Sequence, residues 1–122
     1  MSCVNQQKTV FKGEYKLLVL TVTDDEQDPV DLTAATALEF QVKTAVGAAD
    51  PPLIGKAIGT GVTLRPQAGI TLGQAEIEIQ TSDTSALAPG TYYYDVVLVL
   101  AGKRYFVVPP SEFIIKGVIN LP

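Results

Sequence analysis

The sequence predicts an all-β protein, an antiparallel β-sandwich of seven or eight short strands. Three observations predict it. Apolar and polar residues alternate with a period of two along most of the chain, and helical periodicity is almost absent. Apolar residues make up 47% of the chain and charged residues only 18%, which is enough to build a core and excludes a disordered class. Turn residues, 10 Gly and 8 Pro, punctuate the apolar runs.

The elements follow in chain order. A first strand is expected near "KTVFK" (8–12). "EYKLLVLTVTD" (14–24) reads as a strand with Leu18, Leu20 and Val22 on one face. "TALEFQVK" (36–43) sets Leu38, Phe40 and Val42 against Glu39, Gln41 and Lys43. "AEIEIQT" (75–81) sets Ala75, Ile77 and Ile79 against Glu76 and Glu78, again a sheet with one wet face. "YYYDVVLVL" (92–100) and "KRYFVV" (103–108) are joined at Ala101-Gly102, a two-residue hairpin signal. "EFIIKGV" (112–118) closes the count. The one helix candidate is "TSDTSALAPG" (81–90), a single turn capped by Asp83 or Ser82 and ended by Pro89-Gly90. Residues 44–61 form the long irregular segment, within which "PLIGKAI" (52–58) is a candidate for a short extra strand at a sheet edge.

The length fits one domain, residues 1–122, with a core that needs no staple. A net charge of −4 argues against a nucleic-acid surface, and no nucleic-acid partner is expected. The longest apolar run, "VVLVLA" (96–101), is far short of a membrane span, and "MSCVNQQKTV" has no apolar signal-peptide region. The protein is therefore expected to be made in the cytoplasm without a membrane partner. There is no His, which removes Ser-His-Asp and Cys-His nucleophilic systems and His-ligated metals. Cys3, the single cysteine, lacks a partner for thiol catalysis.

The chemistry-bearing motifs fail on spacing. In "GAADPPLIGKA" (47–57), seven residues separate Gly47 from Gly55 where a phosphate loop needs four, and Ala57 stands where Ser or Thr would hold magnesium. "GTG" (59–61) lacks the third glycine of a dinucleotide fingerprint. The acidic stretch "DDEQDPVD" (24–31) offers carboxylates to calcium, but Pro29 stands where an EF-hand loop needs Gly. A solvated turn is the better account, with Asp31 of "DLT" capping a turn of its own. No enzyme activity, cofactor or metal is expected.

On a strand, Tyr92 and Tyr94 point one way and Tyr93 the other. The lead-in "LAPGTY" (87–92) resembles the tyrosine corner of immunoglobulin-like sandwiches, which gives Tyr92 a structural role as a hydroxyl tied back to the preceding corner. The order of motifs carries the resemblance further. A strand ending "VTD" runs into "PVDLTAA" (29–35), then "ALEFQVK", "PLIGKAIGTGVTL" (52–64) and "GQAEIEIQTSDTSALAPGTYYYDVVLV" (73–99). This resembles the immunoglobulin-like phage and prophage structural proteins seen at the N-terminus of baseplate upper proteins, over about residues 13–115. "DTSALAPGTYYYD" is the most specific block, and "PPSEF" (109–113) departs from the family, which has a Gly before its Phe.

The resemblance implies an immunoglobulin-like fold and a virion structural role, in a tail, baseplate or fibre-attachment region. The partners would be other virion proteins or further copies of the chain. Two other readings are a carbohydrate- or surface-binding module and a capsid decoration protein. With Ala101-Gly102 as the turn, Leu98 is expected opposite Tyr105, Val96 opposite Val107, Val97 opposite Phe106 and Asp95 opposite Val108. The core face then carries Tyr92, Tyr94, Val96 and Leu98. The other face carries Tyr93, Val97, Val99, Phe106 and Val108, with Asp95 and Arg104, and is the candidate assembly face. The competing expectation is that the 44–61 loop folds over it.

Overall fold

A computed structural model describes residues 7–121; Cys3 lies outside the described residues. Among the described residues eight strands form: β1 (Lys8–Phe11), β2 (Lys16–Thr21), β3 (Ala35–Lys43), β4 (Ile54–Ile58), β5 (Gly61–Leu64), β6 (Gln74–Ile79), β7 (Gly90–Leu100) and β8 (Lys103–Lys116). One helical turn, α1 (Thr81–Ser85), links β6 to β7. The strands make one sheet of order β1-β8-β7-β3-β4-β5-β6-β2, nearly closed into a barrel.

The sheet is mixed, which corrects the antiparallel expectation. β1 runs parallel to β8 (Lys8 opposite Phe113) and β4 parallel to β5 (Ala57 opposite Gly61). The first pairing arises because the tight turn at Gly13 (φ 78°) sends β1 and β2 to opposite margins of the sheet. β2 joins β6 there, and β1 joins β8. Across the remaining seam the Lys16 ammonium donates to the Thr9 carbonyl at 2.9 Å.

"PLIGKAI" is not an edge strand. β4 pairs with β3 through Ile54–Lys56, then jogs at Gly59 and Gly61 and meets β5. It is the joint between the two halves of the sheet. A Cβ on Gly61 would lie 2.4 Å from the Lys56 Cδ, and the φ of +103° there suits only glycine.

The inward residues are those that alternation marks. Leu18 and Leu20, Leu38, Phe40 and Val42, and Ala75, Ile77 and Ile79 are all buried. They join Tyr94, Val96, Leu98, Phe113 and Ile115 in a single cluster. Its centre is aromatic: Phe40 and Tyr94 have ring centroids 5.3 Å apart, and Phe113 lies 6.0 Å edge-on from each.

Loops at the two ends are tied by single side chains. The Gln67 amide donates to the carbonyls of Arg65 and Gln74 and accepts from the backbone N–H of Leu32 and Gly73. At the opposite end, the Asp83 carboxylate accepts the Gln80 N–H that starts α1, at 2.6 Å, and pairs with Lys56 at 2.7 Å. Thr84, fully buried, accepts the Gly13 N–H. In the acidic stretch, one Asp24 oxygen accepts the N–H groups of Glu26 and Asp28. Asp31 accepts from Thr33 through both its hydroxyl and its N–H, which hold the carboxyl below its usual range. These carboxylates close turns.

Candidate functional site: the outer face of β3, β7 and β8

β7 lies between β3 and β8, and the registers fix which residues share a level on the outer face. Glu39, Val97 and Phe106 share one level. One step towards the Ala101-Gly102 hairpin, Ala37, Val99 and Arg104 share the next. One step the other way, Gln41 stands beside Asp95, and beyond it Lys43 beside Tyr93 and Glu112. The hairpin is a two-residue turn with both residues at positive φ, 53° at Ala101 and 74° at Gly102, the type I′ pattern that matches strand twist.

Two of the five candidate face residues are not on an exposed surface. Val108 is 1% exposed and sits opposite Val96 in the core, the place that an unbroken register gives to Val107. The cause is a bulge: Val97 faces Phe106, but Val96 faces Val108, so β8 carries an extra residue there. A further extra residue falls at Pro109-Pro110, before Tyr94 meets Ser111. Each insertion reverses which side chains face inward, so Asp95 opposite Val108 is corrected as well. Val97 is on the outer face but only 7% exposed, and it stands apart from the main core cluster. It is the floor of the face. Val99 and Tyr93 are half-buried, and Phe106, 47% exposed, carries most of the free apolar surface.

Above the Val97 floor is an open hollow of ≈ 320 Å³ bordered by Glu39, Lys43, Asp50, Asp95, Arg104 and Phe106. The Arg104 guanidinium leans over the Phe106 ring, 4.8 Å from its centre. Lys43 is committed to Asp50 (2.8 Å) and to the Ala48 carbonyl (3.0 Å). The 44–53 loop therefore walls one end of the hollow and leaves Phe106 open, so it borders the face without covering it. A smaller hollow of ≈ 100 Å³ continues the groove past Tyr93, Val46 and Pro110. Burial pushes the Asp95 carboxyl above its ordinary pKa, against the pull of Arg104 and Lys43.

Tyr92 lies on the other side of β7. Its hydroxyl donates to the Ala88 carbonyl at 2.6 Å, across the corner formed by Pro89 and Gly90. The bond is reached by solvent, and the ring is half-buried against the core.

Sequence reasoning missed Glu39, Gln41, Lys43 and Asp50 as members of this face. The first three stand out in the alternation of "TALEFQVK". What is missing from a single strand's pattern is its neighbour, and the pairing of β3 with β7 is what brings them to Val97. No known protein family matches the chain, and none of the curated proteins does.

Proposed function

We propose that the chain is an immunoglobulin-like β-sandwich domain of a phage or prophage virion, acting by protein–protein assembly in a tail, baseplate or fibre-attachment region and not by catalysis. The sandwich reading draws on the way β4 switches between the β1-β8-β7-β3 half and the β5-β6-β2 half, and on the Tyr92–Ala88 corner. The virion reading draws on the resemblance carried by "PVDLTAA" and "DTSALAPGTYYYD".

The observation that carries the assembly reading is the outer face of β3, β7 and β8. An apolar floor, an exposed aromatic, and Glu39, Asp95 and Arg104, which close no ion pair among the described residues, are gathered there on strands. Interfaces draw on such anchors, with aromatic and Arg residues at their energetic centre. The test is co-expression with the products of the genes that flank this one, followed by size-exclusion chromatography. The chain is expected to co-elute with a tail-gene product, and Phe106→Lys to abolish co-elution while keeping the far-UV spectrum. Co-elution indifferent to Phe106→Lys would remove the face from the proposal. Co-elution with a capsid product would move the chain to the decoration class.

A further inference from the structure

We propose that this face binds the same face of a second copy of the chain, about a two-fold axis at the level of Val97 and Phe106, with Arg104 of each copy meeting Asp95 of the other. The proposal rests on the assembly reading and names the partner.

Opposite charges on β7 and β8 flank the Val97–Phe106 level. Arg104 stands one step to the hairpin side of the Val97–Phe106 level, opposite Val99, and Asp95 stands one step to the other side. From Asp95 to Val99 is four residues, or about 13 Å of strand. Among the described residues neither Asp95 nor Arg104 closes an ion pair: Asp95 feels Arg104 and Lys43 of its own chain only as a longer-range pull, and the Arg104 guanidinium lies over the Phe106 ring. Opposite charges at equal distances on either side of one level are what a two-fold axis can use. An axis lying across the strands at the Val97 level maps the Arg104 level of one copy onto the Asp95 level of the other. The contact is isologous, as most homodimer contacts are. Sheets stacked face to face lie about 10 Å apart, a gap that an Arg and an Asp side chain fill from opposite sides. On the axis, Phe106 meets Phe106 of the second copy over the two Val97 floors.

The same geometry makes one unfavourable contact. Glu39 shares the axis level, so it faces its own symmetry mate, and like charges set opposite each other oppose association. The face is also small. Three strands about 4.8 Å apart and roughly 25 Å long give a contact at the low end of specific interfaces, where binding is weak and transient. The second copy is thus expected to bind at high local concentration, as in an assembly.

Sedimentation velocity of the purified chain, from about 10 µM to about 1 mM in low salt, should show a reversible monomer–dimer equilibrium that added salt weakens. Arg104→Asp and Asp95→Arg should each be monomeric across that range, because each sets like charges at both contacts. Mixed one to one, the two variants should dimerise. In the mixed pair, both contacts between positions 95 and 104 again join opposite charges, one of them with its sign reversed. Glu39→Gln should tighten the dimer several-fold. Should Asp95→Arg fail to fold at its bulged position, the exposed Phe106→Glu tests the axis instead and should abolish the dimer. A wild-type chain monomeric at 1 mM overturns the proposal and leaves assembly with other virion proteins standing. A dimer that survives Phe106→Glu, or single charge reversals that do not rescue each other, overturns this face and this axis.

Discussion

At the scale of single residues, what matters is where a polar group finds its partner. The Tyr92 hydroxyl ties β7 to the corner before it, but water reaches the bond. Tyr92→Phe should therefore cost only about 0.5–1 kcal/mol, below the 1–3 kcal/mol of a buried group left unsatisfied. Tyr93→Phe should be nearly silent, and urea melts of the two variants measure the difference directly. Equal midpoints would deny Tyr92 its corner role. Asp95 offers a second test, with a sign. Its folded pKa is raised above 3.8, so the folded state resists its ionisation. Stability from this group is full below the unfolded value and is lost as pH rises through the folded one. Asp95→Asn removes that loss. In dilute solution its melting temperature should match the wild type near pH 3 and exceed it at pH 7. A gap that instead opens towards acid would mean that Asp95 is held ionised by Arg104 and Lys43.

At the scale of elements, the sequence is legible where the pattern is local. The alternation in β2, β3 and β6 marks the inward residues, because a strand with one wet face writes its orientation into every second position. The Ala101-Gly102 turn is legible through Gly102 and the two apolar runs that flank it, although Ala101, at φ 53°, is not a residue that a type I′ turn favours. β8 is legible in its two halves and not as a whole. "KRYFVV" and the "EFIIK" of "EFIIKGV" belong to one 14-residue strand that passes through Pro109-Pro110. The extra residue between Phe106 and Val108 sends Val108 inward and the one at Pro109-Pro110 restores the phase, and no period-two pattern registers an insertion. Pairing direction is hidden for the same reason, since a strand's own residues do not say which neighbour it meets.

The β5–β6 connection shows a further kind of hidden order, in which one amide holds a whole loop. Gln67→Ala would strip four hydrogen bonds and leave the part-buried Leu32 and Gly73 N–H groups without an acceptor, at a cost of about 2–4 kcal/mol. Gln67→Glu keeps the acceptor and loses the donor, so its denaturation midpoint should fall between those of Gln67→Ala and the wild type. Glu no better than Ala would locate the clasp in the two donated bonds.

At the scale of the molecule, the sheet is almost closed but not closed, and its margins differ from its centre. β7 is 11 residues long and hydrogen-bonded on both sides, to β3 and to β8, with Tyr94, Val96 and Leu98 in the core. β1 has four residues and a single neighbour, and across the seam it is met by the Lys16 side chain in place of a backbone ladder. Only Val10 anchors it in the core. The strand closing the longest loop in sequence, Lys8 against Phe113, thus has four ladder partners on one side only, among the described residues. Local opening is cheapest where few buried contacts and few backbone bonds must be broken. Native-state hydrogen exchange should find the β1 amides protected on the order of a hundredfold less than those at the centre of β7. Val10→Ala should sharpen the contrast, lowering β1 protection while β7 falls only by the variant's loss of global stability. If β1 and β7 exchange alike and respond alike to Val10→Ala, the β1 margin unfolds with the centre as one unit. The seam would then be as firm as the ladders on either side of it.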